Sequence, residues 1–368
     1  MEAIHLFVFV LICMREVKKM YETVNVVVKY DWKQLYQYCM ESCKNAKAMK
    51  NAVIFRCRQI VSADKKDFDK LHDNERQILD EFNLIDKKQS GNKLRIPNYH
   101  IFDTMFKKTE NPDYYNELAM QSTQQIIKET LQDFKGYFAA LRKYAKQPEL
   151  FTGKPKLPHY IKTDGCSFDI TNQDAVIRMD KNGNRYLKLP KTKATVPLND
   201  VCTGKLKEIT IQPFYDTFKI SIVMENKTSV NTILDKNRII GIDLGVNNFA
   251  TTNNNCGLTP FIINGKGLKS YNQWYNKEMA KLRSYIMTAD ADKKRYTSKR
   301  IEKLNKDHYH HTNDFYNKAA SYIIKYCVAN NIGTIVIGKN DGWKQDINIG
   351  RKNNQTFCFI AHAFLLKN

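Results

Sequence analysis

The sequence predicts an α+β, multidomain protein in which a β-barrel is interrupted by a helical lobe and followed by a second, sheet-based domain. Three observations carry this. A short alternating strand is followed by a long helical block and then by a run of short strands. Near residue 238 the pattern changes to a β-branched strand with an aspartate near its end, then to two long helical registers. The 368 residues, 42% hydrophobic with 19 Phe and 20 Tyr, exceed one average domain and can fill two or three cores.

Taken in order, residues 4–13 are apolar apart from His5. That run is about half the length that spans a bilayer, and its basic residues follow it, the reverse of a signal peptide. It reads as an extension, 1–13, ahead of a natural start at Met14, with no function attached. Residues 23–30 alternate and are rich in valine, a strand. Residues 31–60 turn helical on Leu35, Tyr38, Met49, Ile54 and Cys57, and residues 64–84 are densely charged. A second strong helix covers 116–144, where Leu118, Ile126, Leu131, Phe134, Phe138 and Leu141 recur at helical spacing.

A basic connector leads to strands at 166–170, 175–179, 186–189, 208–213 and 217–224, with Asn182-Gly183 suited to a hairpin turn. Strands at 238–244, 249–252 and 258–263 then precede an amphipathic helix that steps through Leu268, Tyr271, Tyr275, Met279, Leu282 and Ile286. After Lys293-Lys294-Arg295 a longer register runs from Ile301 to Tyr326, so the two make a helical hairpin. Residues 331–333 stop it, 334–337 is a buried-type strand, and residues 338–368 read mostly as loop. The expected domains are 14–30 plus 155–228 for the barrel, 31–154 for the helical lobe and connector, and 236–368 for the second sheet domain.

Charge narrows the partners. Lys and Arg total 59 against 38 Asp and Glu, a net charge of +21. A chain so far from neutrality repels itself unless a polyanion neutralises it. Nucleic acid fits, with 11% aromatic residues on which bases can stack. An anionic membrane fits less well, because no short segment has sharply divided basic and apolar faces. The connector is the densest candidate: Arg142, Lys143, Lys146, Lys154, Lys156 and Lys162 face one acid, Glu149, with Phe151, His159 and Tyr160 interleaved. A solvated linker is its plainer reading; phosphate contact is the one adopted. Nine scattered cysteines, an odd number with no CxxC, read as reduced thiols in an intracellular, cytoplasmic setting. Cys39 and Cys43 read as neighbours on one helix face. His308, His310 and His311 read as packing or face-lining residues, not a metal site.

The segment from Ile239 to Asn248, Ile-Ile-Gly-Ile-Asp-Leu-Gly-Val-Asn-Asn, carries the chemistry. A charged residue inside a β-branched strand is costly without a partner, and its glycines allow close approach of backbone or phosphate. A strand aspartate followed by a tight turn and an antiparallel strand is how RNase-H-like nucleases present their first metal-binding carboxylate. Sugar kinases and actin-like ATPases open the same way to cradle ATP. On this segment alone both readings stand.

The flanking residues extend the pattern. They are Gly245-Val246-Asn247-Asn248-Phe249-Ala250, then Phe261 to Lys266 and Leu268 to Gln273, then Asn331 to Gly338, Gly342-Trp343-Lys344-Gln345 and Asn353-Asn354-Gln355. Upstream stand Gly153 to Pro158 and Tyr186 to Pro190. Together they closely resemble the insertion-sequence-encoded TnpB proteins, over roughly residues 14–362. The resemblance implies a wedge-like barrel interrupted by a helical recognition lobe, then a RuvC domain with a zinc-ribbon insertion. It implies Mg²⁺-dependent, RNA-guided DNA cleavage, with a guide RNA from the transposon end and target DNA as partners.

The departures bear on activity. Asp243 matches the family's first catalytic and metal-binding Asp. The second carboxylate usually follows the strand at 334–337, where this chain has Gly338; branches of the family with this Gly-bearing motif take their Glu from further downstream, expected here beyond residue 368. The third Asp and the zinc-ribbon cysteines are expected beyond residue 368, making the RuvC domain incomplete and the chain a C-terminally truncated member. Asp341 and Asp346 sit in a loop with Lys339, Lys344, Arg351 and Lys352 and read as solvated acids, with Lys344 a nucleic-acid contact. Three functions are compatible with this pattern. The chain is a nuclease whose cleavage is in question, a nuclease-dead RNA-guided repressor, or a non-functional transposon remnant.

Overall fold

The computed structural model describes residues 6–10, 19–198, 204–227, 234–289, 297–338, 348, 350–360 and 362. They form an α+β protein of two compact units, Lys19–Asn226 and Met1–Lys18 with Lys227–Asn368.

In the first of these, strand β2 (Lys19–Val27) leads into helix α1 (Lys33–Asp64). Helix α1 forms because Leu35, Cys39, Cys43, Ala46, Met49, Val53, Cys57 and Ile60 recur every three or four residues and all are buried. Short helices α2 (Asp73–Glu81), α3 (Ile85–Gln89) and α4 (Tyr99–Lys108) come next. Asn98 caps α4 by accepting a hydrogen bond from the Ile101 amide at 3.2 Å. Helix α5 (Met120–Lys146) lies against α1 and α4.

Six strands complete the unit: β3 (Phe168–Thr171), β4 (Val176–Met179), β5 (Arg185–Lys188), β6 (Thr195–Leu198), β7 (Lys205–Phe214) and β8 (Thr217–Lys227). Their order is β2-β8-β7-β3 in one sheet and β4-β5-β6 in another. The strand before the helices therefore joins the strands after them, as an inserted helical block requires. Where the sequence leads one to expect a barrel, the described residues form two open sheets and no closed barrel. The Asn182-Gly183 turn is present, with Gly183 at φ 83° and the Asp180 amide donating to the Asn184 carbonyl at 2.9 Å.

The other unit holds a five-stranded sheet. Strand β9 (Asp235–Leu244) is its middle member, pairing with β10 (Asn248–Asn254), which pairs with β11 (Ile262–Asn264), both antiparallel. Helices α6 (Lys266–Ala289) and α7 (Lys299–Ala329) form the expected hairpin and return the chain to β12 (Ile332–Gly338), parallel to β9. Residues 4–13, given no role by sequence, contribute β1 (Leu6–Val10), which pairs antiparallel with β12 from Leu6↔Gly338 to Val10↔Thr334. The core joins Ile240, Ile242, Phe249, Ile335 and Ile337 of the sheet to Tyr316, Ile323 and Cys327 of α7.

Of the segment after β12 that reads mostly as loop, residues 339–347, 349, 361 and 363–368 lie outside the described residues. In the remainder helix α8 (Arg351–Phe359) forms in place of loop, and Ile360 and His362 are buried beyond it. Phe357, Phe359 and Ile360 supply apolar surface that an Asn-rich helix hides from a periodicity reading.

Candidate nuclease site and nucleic-acid surfaces

Asp243 stands next to the carboxyl end of β9. Ile240, Ile242 and Leu244 alternate into the core, so Asp243 faces the other way and is exposed. It pairs with Thr251 of β10, while Ile242 pairs with Ile337 of β12 in parallel. The next step of that register sets Gly338 level with Asp243, on the same face. Of the two flanking glycines, Gly245 is sterically required: a Cβ there would meet the Asn248 carbonyl oxygen at 2.6 Å. Gly241 is not, its nearest contact being an ordinary 3.8 Å.

The turn after Asp243 is held from three sides. The Gly245 amide donates to the Phe249 carbonyl at 3.2 Å. His362, 3% exposed, donates through Nε2 to the Gly245 carbonyl at 3.0 Å, and its ring stacks on Phe249 at 5.7 Å and 14°. Lys269 Nζ donates to Asn247 Oδ1 at 2.9 Å, and the Gly265 amide to the Asn247 carbonyl at 2.8 Å. His362 and Lys269 are supports that sequence reasoning missed. Lys269 lies in the Leu268 to Gln273 run, but nothing local in the sequence shows the role of either residue, because each acts on a turn distant in sequence.

A two-ion Mg²⁺ site needs several converging carboxylates. Among the described residues no group of three or more His, Cys, Asp or Glu side chains could hold a metal ion. At the strand end the parallel register carries Gly338, which has no side chain, alongside Asp243. Asp341, Asp346 and Lys344 lie outside the described residues. Cys39, Cys43 and Cys57 are core residues of α1; burial pushes the Cys39 thiol up to about 12 and the other two upward as well. His308 is a packing residue: it stacks on Tyr275 at 3.9 Å and 27°, and its Nε2 lies 2.8 Å from Asn272 Oδ1.

The basic candidates fall in two groups of one unit. Arg142, Lys143 and Lys146 are exposed on the last turns of α5. Lys154, Lys156 and Lys162 are exposed on an extended strap that α1 pins down. Asn51 accepts from the Ile161 amide at 2.8 Å and donates to its carbonyl at 3.1 Å, and Arg58 Nη1 donates to the Pro158 carbonyl at 2.8 Å. Anchoring the backbone this way leaves the lysine heads in solvent. A third group escaped sequence reasoning: Arg178, Lys188, Lys191 and Lys193 line an open recess of about 540 Å³. They are dispersed over two strands and a turn, so only folding gathers them.

No helix among the described residues is long and apolar enough to cross a membrane. No curated protein matches the chain by sequence. Solved structures similar to it include a chain of a Cas12f1–sgRNA–target DNA complex, 11% identical, with a TM-score of 0.46 over 95% of this chain and 86% of that one. A chain of a CRISPR-Cas12f ternary complex is also 11% identical, with a TM-score of 0.26 over 90% and 69%. At these scores the likeness is loose. Residues 221–344, which hold Asp243, the helical hairpin and β12, match the family described as OrfB_IS605, "Probable transposase". Over that segment, and in agreement with the motifs around Asp243, the chain is TnpB-like and similar to the OrfB_IS605 family.

Proposed function

We propose that the chain is an RNA-guided DNA-binding protein in which the sheet around β9 is a RuvC-type, RNase-H-like fold and Asp243 is its first metal-binding carboxylate. The observation that carries this is the strand arrangement: β9 parallel to β12 on one side, antiparallel to β10 on the other with β11 beyond it, and Asp243 exposed by the carboxyl end of the middle strand. Open sheets with parallel strands place ligands at such ends. The strap lysines and the end of α5 take the guide RNA, in keeping with the net charge of +21. On this reading 14–30 with 155–228 is the wedge domain, 31–154 the recognition lobe, and the site of action the host DNA in the cytoplasm.

Mg²⁺ would stabilise the attacking and leaving oxygens of a phosphodiester. The described residues offer one of the carboxylates this requires, and no cleavage step is assigned to them. Gly338 beside Asp243 favours a second reading, guide-directed DNA binding without cutting, which suits a repressor.

The test is a binding and cleavage assay on supercoiled plasmid carrying a matched target, with transposon-end RNA and Mg²⁺. Matched guide should retain the target, and any guide-dependent cutting should disappear in Asp243→Ala. Retention that is equal for matched and unmatched guides would sink the guide-directed reading.

A further inference from the structure

Helix α1 holds the strap and the segment after it at three places, in reverse order along the chain. Arg58 donates to the Pro158 carbonyl, Asn51 binds both main-chain groups of Ile161, and the Cys43 carbonyl accepts from the Cys166 amide at 3.1 Å. The strap thus runs antiparallel to the helix for about 22 Å, at 1.5 Å per residue from 43 to 58. The third contact brings together two free thiols. A main-chain hydrogen bond of this kind sets the two Cα atoms about 5–6 Å apart, inside the roughly 4.4–6.8 Å that a disulfide spans.

Three observations make the pair more than two neighbours in a core. Gly165, just before Cys166, has room for no side chain: a Cβ there would lie 2.8 Å from Cys43 Cβ. The backbone itself therefore fixes the approach, and Cys166 packs on the cluster that contains Cys43. The thiols are also near enough that ionisation of one opposes ionisation of the other. Finally, their surroundings are unequal. Cys43 is 1% exposed and burial holds its thiol well above the ordinary range, whereas Cys166 is partly exposed. Burial pushes the Cys166 thiol up to about 11, with Lys50 and Lys47 drawing it back and Glu129 adding to the rise. An order of reactivity follows, because the thiolate is the nucleophile. Cys166 meets a reagent from solvent, and Cys43 has to reach only the Cys166 sulfur.

We propose that Cys43 and Cys166 form a thiol–disulfide exchange site for low-molecular-weight disulfides, which closes a covalent link between α1 and the chain entering β3. The Cys166 thiolate attacks one sulfur of the small disulfide. The S–S bond breaks, and the departing half takes up the proton that Cys166 lost. The Cys43 thiolate then attacks Cys166 Sγ in the mixed disulfide and expels the second small thiol, which takes up the Cys43 proton. Two protein thiols are oxidised, and one small disulfide is reduced to two thiols. The link encloses the rest of the helical block together with the strap, so it fixes the strap's register on α1 covalently. This inference is independent of the nuclease-type reading.

The test uses the full chain, reduced, freed of reductant and incubated with oxidised glutathione. It is then alkylated with N-ethylmaleimide, digested and mapped by mass spectrometry. The expected product is a peptide pair joined through Cys43 and Cys166 that dithiothreitol separates. The unit holding the pair should melt about 5–15 °C higher when oxidised, because the link closes a long loop. Cys43→Ala should stop the exchange half-way and leave glutathione on Cys166, which thiols that do not exchange cannot produce. Cys166→Ser, a change at the partly exposed position, should leave Cys43 unmodified, and it keeps the test open should the core variant not fold. Glutathione on Cys43 in that chain overturns the proposal. So does an exhaustively treated parent chain in which both thiols are still free on unfolding, or in which Cys43 is joined to Cys39.

Discussion

Asp243 and Gly338 stand side by side on parallel strands, one step past the Ile242–Ile337 pair. The residue beside Asp243 therefore has no side chain, and a Cβ built there meets nothing within 4 Å. Gly338→Asp is expected to fold normally, within about 0.5 kcal/mol of the parent. It should gain a divalent-cation site that Asp243→Asn in the same background removes. Mn²⁺ titration followed by calorimetry or electron paramagnetic resonance reads this, and equal binding by parent and variant would refute the side-by-side placement.

The His362 contact to Gly245 makes the Asp243 turn depend on a residue far along the chain. His362→Ala removes a hydrogen bond and an aromatic stack, and should cost roughly 1–3 kcal/mol of stability. His362→Phe should recover part of it by restoring the stack on Phe249. Hydrogen exchange at residues 245–249 should accelerate in both variants, more in the alanine one. Unaltered exchange there would detach His362 from the turn.

For the strap, replacing Lys154, Lys156 and Lys162 with alanine should weaken RNA binding and flatten its salt dependence. With about 0.7–0.9 counterions released per contact, the slope of log K against log salt should fall by roughly 2–3. Binding to a structured RNA over a series of salt concentrations measures it. A parallel line for the triple variant would take the strap off the binding surface.

Burial in the aromatic wall, reinforced by the like charge of His311, holds His308 below the ordinary histidine range. The folded state thus takes up this proton at lower pH than the unfolded state does. Its stability contribution is complete above about pH 6.5 and is lost as pH falls through the folded value. The groups around it, Tyr271, Tyr275, Asn272 and Phe359, offer no carboxylate to compensate. Melting temperature should drop as pH falls below about 6.5, and His308→Phe should flatten that drop. An identical pH profile for the two chains would exclude His308 as its source.

The parts that chemistry makes conspicuous were legible in the sequence. Asp243 at the end of the β-branched run from Ile239 to Ile242 identifies β9, and the three- and four-residue steps through Tyr271 and Met279 identify α6. Short helices α2 to α4 lack the length for a clear period. Strand β6 contains Pro197, which weakens any strand reading although the chain pairs there with Tyr186. The supports of the Asp243 turn, His362 and Lys269, were invisible for a different reason. Tertiary partners are chosen by fold, and no local pattern encodes them.

Strand β1 has a consequence for biosynthesis. Leu6–Val10 leaves the ribosome long before its partner, Ile332–Gly338. All of Lys19–Asn226 is made between them. At roughly 5–20 residues per second, a nascent chain carries an unpaired Leu, Phe and Val run for about 15–65 s before its ladder can close. During that interval Lys19–Asn226 is complete while Leu6–Val10 still lacks its partner, so the five-stranded sheet can close only after the other unit has been made.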